Sequence, residues 1–365
     1  MKQIKIIFLG LCLFSTITNI ASADERFEKP AFWLNQGYQS QTRLKNPFVN
    51  EQPIWGAHNL RWPVAFENAQ NSMGNSMHEF QEYGVDGPYY HGGCDLRVAR
   101  KAPVHSPVSG RIEAGHYGYS NNPDGSDEKF WKPWPATGSQ YYFEIAVITD
   151  DNYRFEFHHM DETNMAPEVL KILKNGGQGR IEAGALLGTT VAWPDGVYHH
   201  AHYNIITPSG IKLNPEYYST LIPDTIAPQV SKVLAVMSSG QTLDFGDGRF
   251  TQSPKFFAVA VIDRKDNNIY DQPPTFAGII FEDGKSFAWD FNERLFGENG
   301  VFPPIWDFYI KSIKAPNGQA LKTYGGYGKG LSVIRINVPE NAKGKFNLKV
   351  ADIAGNETTF AGIIE

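Results

Sequence analysis

The chain is short of cysteine, of excess positive charge and of long apolar stretches, and each shortage excludes a class of protein. Its 365 residues include two cysteines, Cys12 and Cys94. Cys12 lies in an N-terminal apolar stretch, and Leu11 before it is too bulky for the usual lipid-attachment motif. Once that stretch is removed Cys94 stands alone, so no internal disulfide can form. Lysine and arginine number 33 against 39 acids, a formal charge of −6. A chain of that sign offers no basic face for phosphates, which excludes nucleic acid as a partner. The one long apolar run, Ile4 to Phe14, is too short to cross a bilayer comfortably. Its start is flanked by two lysines, Lys2 and Lys5, and it leads to Ala21-Ser22-Ala23, so residues 1–23 read as a cleaved secretory signal and the mature chain as periplasmic or extracellular, with no transmembrane segment. Histidine is absent after His202, and no H-E-x-x-H occurs, which excludes a helical glutamate base of that type.

Aromatic residues make up 13% of the chain, with 35 glycines and 23 prolines, a balance that favours strands and turns over helices. The length favours two domains. Residues 24–87 read as an irregular polar lead-in with one strand, Leu60 to Phe66. Tyr141 to Thr149 and Tyr153 to His159, separated by Asp151-Asn152, read as a hairpin. In it Tyr153, Phe155, Phe157 and His159 share one face and His158 takes the other. The segment from Met165 to Gly177 reads as a helix with Leu170 and Leu173 inward and Asn175-Gly176 at its end. Gly115 to Gln140 has no core pattern and reads as a long loop, with Trp131 and Trp134 either lining a groove or pinning it. The hexapeptide G-R-I-E-A-G occurs at Gly110 and again at Gly179, a sign of duplicated half-units. After Pro223 to Pro228 the text becomes short strands and turns (255–263, 275–284, 285–291, 305–313, 331–338 and 346–355), the rhythm of a β-sandwich over 223–365. Asp352 and Asn356 in it read as turn formers.

Eight of the ten histidines lie between His91 and His202. Three stretches carry six of them: HGGCD from His91, FHHMD from Phe157 and HHAHYN from His199. Gly92 and Gly93 argue against a helix, and on a strand His91 and Asp95 share a face, with Gly93 leaving room between them. Cys94 then faces away, as a small buried apolar residue. His200 and His202 share a face as well. Two imidazoles and a carboxylate with a fourth position open constitute a catalytic zinc site, and neighbouring histidines suit proton transfer.

In this order the three stretches resemble the lysostaphin/LytM-type zinc endopeptidases, whose pattern is H-x-G-x-D, an aromatic-x-H segment and H-x-H. APVHSPVSGRI and IEAGALLGTT resemble the family's connecting text, and the likeness covers roughly Leu60 to Tyr218. It implies a mainly β fold: an antiparallel LytM-type peptidase domain over 88–222, of a duplicated barrel-sandwich kind. The sandwich that follows is similar to bacterial immunoglobulin-like modules in its closing V-A-D-I-A-G-N-E. The resemblance implies Zn2+ held by His91, Asp95 and His202, with His159 and His200 flanking the attacking water and the scissile carbonyl. It implies peptidoglycan peptides, in stems or cross-bridges, as substrate. His158 and His199 lie beside both flanking positions, so a register slip by one is open. Tyr203-Asn204 replaces the family's Phe-Glu. The competing readings are a non-catalytic regulator of wall hydrolases, an endopeptidase for an extracellular protein, and a structural adhesin with a histidine patch.

Overall fold

The computed structural model describes residues 55–66, 72–83, 86–121, 127–194, 199–208, 211–266, 268–292, 296–297, 304–325 and 330–365. The stretch 1–23, read above as a secretory signal, and the first part of the lead-in lie outside them. Strand outweighs helix by 45% to 7% and the sheets are antiparallel apart from one short parallel pair, so the fold is mainly β, as the composition implies. No helix among the described residues is long and apolar enough to cross a membrane.

A nine-stranded sheet carries His116, His158, His200 and His202. Seven strands run in the order Met73–Asn75, Cys94–Arg97, His200–Ile206, Arg154–His158, Phe143–Ile148, Gly110–Asn121 and Arg180–Ile181, with Lys212–Leu213 beside His200–Ile206 and Asp127–Pro133 beside Gly110–Asn121. Strand alternation sorts its side chains into two very different faces. Leu96, Phe155, Phe157, Tyr203, Ile205, Ile145 and Val147 meet across the sheet on one face, all of them fully buried. Phe157 stacks on Tyr203 with ring centroids 5.5 Å apart. Cys94, paired with Tyr203, lies on this apolar face. The other face carries Asp95, His200, His202, Asn204, Glu144, Glu156 and His158, and it is buried as well. Polar groups out of water must be paired, so this second face is committed to specific partners.

Four local expectations are corrected. Leu60 to Phe66 is not a strand; Leu60 and Val64 make isolated bridges to Ser219 and Val104. The stretch from Gly115 is not a loop: Gly110–Asn121 and Asp127–Pro133 pair as a hairpin. Beyond His116 that ribbon pairs only with itself among the described residues. Trp131 in it lies against the guanidinium of Arg154, 5.6 Å from ring centroid to Cζ. The helix Pro167–Lys174 buries Val169 and Ile172, leaving Leu170 and Leu173 only half-buried. In the last stretch, Ile305–Phe308 is one helical turn after Pro304, because burying Phe308 and Tyr309 together outweighs their strand propensity. The two G-R-I-E-A-G copies lie side by side, Arg180 opposite Arg111 and Ile181 opposite Gly110.

The C-terminal half is two packed sheets. Four strands include Gln229–Val236, Phe256–Ile262 and Ser332–Asn337; six include Phe276–Phe281, Gly344–Ala351 and Glu357–Ile364. Phe257 of the first meets Phe346 of the second at 5.3 Å. One continuous apolar core runs through both halves of the chain. Phe80 packs on Trp306 and Tyr309, each at 5.5 Å, and Tyr90 packs against Phe291 and Phe308. Polar bonds follow the same route: Tyr309 donates to the His78 carbonyl (2.7 Å), His78 Nε2 to the Pro274 carbonyl (2.9 Å), and Asn268 Nδ2 to the Met73 carbonyl (2.9 Å).

His78 makes this junction acid-sensitive. Burial, opposed by the bond to Pro274, lowers its pKa to about 4 from the ordinary 6.5. Between those values the unfolded chain binds a proton that the folded chain refuses. The stabilisation is therefore complete above pH 6.5 and is lost as pH falls toward 4, by on the order of 3 kcal/mol. His78→Gln keeps a donor for Pro274 and removes the titration. Urea unfolding at neutral pH should favour the native chain, and the gap should shrink or reverse at pH 4.5.

Candidate metal centre and flanking histidines

Asp95 sits on the strand Cys94–Arg97, directly across from His202. Its Oδ1 lies 2.9 Å from His202 Nδ1 and 3.2 Å from His91 Nε2. The ligand atoms of the three residues lie within 4.8 Å of one another, and all three side chains are buried. His91 is not on a strand. It opens a short loop between Asp86–Tyr90 and Cys94–Arg97, where Gly92 takes φ 79°. The loop is tied to the turn before it by His91 N–H to the Glu79 carbonyl (3.0 Å) and Gly92 N–H to the Met77 carbonyl (2.7 Å). Gly93 does leave the required room. A Cβ there would stand 2.0 Å from Asn204 Oδ1 and 2.5 Å from His202 Nε2.

The outer nitrogens of both imidazoles are committed. His91 Nδ1 donates to the Ser76 carbonyl at 3.2 Å, which can only accept. Asn204 Nδ2 donates to Glu156 Oε2 (3.2 Å), turning its Oδ1 toward His202 Nε2 at 3.0 Å. The inner nitrogens, His91 Nε2 and His202 Nδ1, therefore present lone pairs toward the Asp95 carboxylate. Lone pairs and an anion at such distances repel unless a cation lies among them. Burial drives the His202 pKa down to about 3, so its ring stays neutral. Burial works against the charge of Asp95, but the imidazoles of His91, His200 and His202 around it outweigh it and hold the carboxylate well below its usual range. Neutral imidazole and ionised carboxylate are the forms that bind a metal, and two nitrogens with one oxygen fit zinc with a fourth position open.

His159 lies next to this cluster by an unexpected route. The strand ends at His158, which faces His202 across the sheet at 4.9 Å between rings. His159 then takes φ 60°, a conformation costing a non-glycine residue about 1–2 kcal/mol. It therefore does not share the face of Phe155 and Phe157, which alternation alone assigned to it. Its ring lies 4.8 Å from that of His200 and 6.3 Å from that of His202. Nδ1 donates to the Tyr141 carbonyl at 2.7 Å, and burial, with His200 nearby, keeps its pKa well below the ordinary value. His199 precedes the strand, and its carbonyl accepts from Val98 N–H (3.0 Å).

Several residues of the site carry no metal-ligand motif and were not anticipated. Trp193 stacks on His200 (5.0 Å, 9°) and on Tyr141 (5.0 Å, 13°) and meets His159 edge-on at 4.7 Å. His158 Nε2 lies 3.4 Å from both Glu144 Oε2 and Glu156 Oε2 and 3.2 Å from Asn204 Nδ2. Arg154 spans Glu156 (2.5 Å), Glu144 (2.8 Å) and Glu113 (2.5 Å). Burial, then the charge of Glu156, raises the Glu144 pKa. The available signal was Arg154, Glu156 and His158 alternating on an otherwise apolar strand.

No family model matches the chain, and no curated protein matches it. Solved structures do. Helicobacter pylori Csd3 is 17% identical with TM-score 0.28 over 45% of this chain, which spans 35% of that one. The catalytic domain of EnpA, a prophage-encoded M23 protein from Enterococcus faecalis, is 14% identical with TM-score 0.25, over 41% of this chain and 98% of that one. Lysostaphin of Staphylococcus simulans, an antimicrobial peptidase, is 12% identical with TM-score 0.28, over 82% of this chain and 100% of it.

Gly93→Ala tests the geometry without touching a ligand. The added methyl should displace His202 and Asn204 and weaken zinc binding about 10- to 100-fold, the range seen when a ligand's supporting contacts are lost. Competition with a colorimetric chelator reads that shift; an unchanged affinity would place the metal elsewhere.

Proposed function

We propose that this chain is an exported zinc endopeptidase that hydrolyses peptide bonds, with peptidoglycan stem or cross-bridge peptides as the substrate class implied by its motif order. The proposal includes a peptidase part, residues 88–222, and an immunoglobulin-like C-terminal sandwich, residues 223–365. One observation carries it. The inner nitrogens of His91 and His202 converge on Asp95 beside a second imidazole pair, His159 and His200, 4.8 Å apart.

In this reading His91, Asp95 and His202 would hold zinc, which when bound would supply Lewis acidity toward water and a scissile carbonyl. The protein's own groups supply the proton chemistry. His159 donates a hydrogen bond from Nδ1–H to the Tyr141 carbonyl, so Nε2 carries the lone pair that accepts a proton from attacking water. Its depressed pKa keeps that lone pair available at neutral pH. His200 is held flat against Trp193 and supplies the hydrogen bond that stabilises the developing oxyanion. His158, enclosed by Glu144, Glu156 and Asn204, has a structural task.

Elemental analysis should give about one zinc per chain, and His202→Ala should lose it. His159→Ala should keep zinc while turnover drops by about 10²- to 10⁴-fold, the usual worth of a general base. Substrate class is read by mass spectrometry of fragments from purified wall sacculi and from a glycine-rich protein, each with and without chelator. Chelator-sensitive muropeptide release supports the proposal. Zinc-loaded chain that cuts neither substrate points to a regulator of other hydrolases, and cleavage of the protein alone points to an extracellular protein substrate. An active His159→Ala beside an inactive His158→Ala would reverse the assignment of the two histidines.

A further inference from the structure

A second cluster of ligand atoms lies at the junction of the two halves, formed by residues that the sequence presents as turn formers and linker. Asp224 belongs to the Pro-bounded linker, Asp263 follows the strand Phe256–Ile262, and Asp352 follows the strand Gly344–Ala351. One carboxylate oxygen from each lies within 4.8 Å of the others. Asp263 and Asp352 are each only 3% exposed.

The cluster is short of positive charge. The nearby cation is Lys265, itself buried, and its ammonium is paired with Glu216. Four carboxylates thus share one lysine. The partners of the aspartates are unequal. Asp352 accepts from Asn356 N–H (2.9 Å) and Asn356 Nδ2 (2.8 Å), closing its turn as expected, yet each oxygen keeps a further lone pair. The same Asn356 amide reaches the Asp224 carbonyl (3.1 Å), fixing the linker against the turn. Asp224 Oδ1 accepts from Ile226 N–H (3.1 Å), whereas its Oδ2 is buried without a hydrogen-bond partner. Asp263 Oδ1 is likewise buried without one. A buried carboxylate oxygen with no donor is costly unless a proton or a cation meets it. Burial accordingly raises the Asp224 pKa to about 6 and that of Asp263 well above its usual range.

We propose that Asp224, Asp263 and Asp352 form a calcium site that ties the linker to the ends of two strands, one from each sheet of the C-terminal sandwich. An all-oxygen donor set selects a hard cation over zinc. Ligands from three separate segments, with backbone carbonyls and water to complete six to eight contacts, suit Ca2+ better than the rigid octahedron of Mg2+. The site also bears on the metal centre. Asp263 bridges to Gln272, and the loop between them presents Asn268 to the Met73 carbonyl; Pro274, just beyond it, meets His78. Met73 and His78 flank the turn whose Ser76 carbonyl orients His91. Calcium would thus brace the wall behind a zinc ligand.

Calorimetric titration of CaCl2 into the zinc-loaded full-length mature chain tests this, together with the shift in thermal unfolding. The expected result is one Ca2+ per chain, binding at or below millimolar concentration and more tightly than Mg2+, with a raised Tm. Asp263→Asn and Asp352→Asn should each weaken binding at least about tenfold, as loss of one charged ligand implies. His202→Ala should leave calcium binding intact. If either buried variant fails to fold, Asp224→Asn on the half-exposed linker gives the same reading. No heat and no Tm shift at millimolar Ca2+ would overturn the proposal. So would undiminished binding in the aspartate variants, or loss of calcium binding in His202→Ala. A calcium-insensitive chain made more stable by Asp263→Asn would show that a shared proton, not an ion, neutralises the cluster. None of these readouts depends on peptidase activity.

Discussion

Two imidazole lone pairs directed at one carboxylate oxygen form an arrangement that repels itself until a cation enters. The structure holds it nonetheless. The Ser76 carbonyl fixes one ring and Asn204 the other, so neither histidine can turn an N–H inward without abandoning a buried acceptor. The strand register that sets His202 opposite Asp95, the glycine that admits Asn204, and the loop that brings in His91 all serve this one constraint. Folding energy that holds repelling groups together would return as affinity for a cation, which is how a preorganised metal site would differ from three residues that happen to be close.

Behind the cluster lies a second cost, the burial of charge on the same sheet face. Glu144, Glu156 and His158 are fully enclosed, and Arg154 neutralises them from the edge. Removing one member of such an array leaves a buried charge unpaired, which destabilises by more than the array itself contributes. The array connects directly to the His91–Asp95–His202 cluster, because Asn204 divides its amide between Glu156 and His202. The orientation of His202 thus rests on a carboxylate two strands away from Asp95. The C-terminal half adds support from the other side, through rings of Phe80, Tyr90, Phe308 and Tyr309 packed between the two halves.

The parts of this architecture that follow period-two alternation were legible in the sequence: the hairpin of Phe143–Ile148 with Arg154–His158, the apolar side of Cys94, the shared face of His200 and His202. The parts that depend on leaving a strand were not. His91 reaches Asp95 through a positive φ at Gly92, and His159 reaches His200 through a positive φ of its own. In both cases alternation gave the wrong local geometry, although the residues named from their spacing and motif order do converge in space. Trp193 carried no spacing signal, and period-two alternation gave Glu156 and Asn204 a face but not their partners, because their value lies in contacts made across strands distant in sequence. The packing of Phe80 on Trp306 is hidden for the same reason, and the helical turn at Ile305–Phe308 owes its form to that packing rather than to its own propensity.

X-ray absorption at the zinc edge of the loaded protein tests the central claim most directly. The account predicts a four-coordinate ion with two imidazole nitrogens at about 2.0–2.1 Å, a carboxylate oxygen, and one further light atom from solvent. A sulfur contribution at about 2.3 Å would assign the metal to Cys94, and a closed shell with three or more imidazoles would mean that a flanking histidine is a ligand. Either spectrum would contradict the site described for His91, Asp95 and His202.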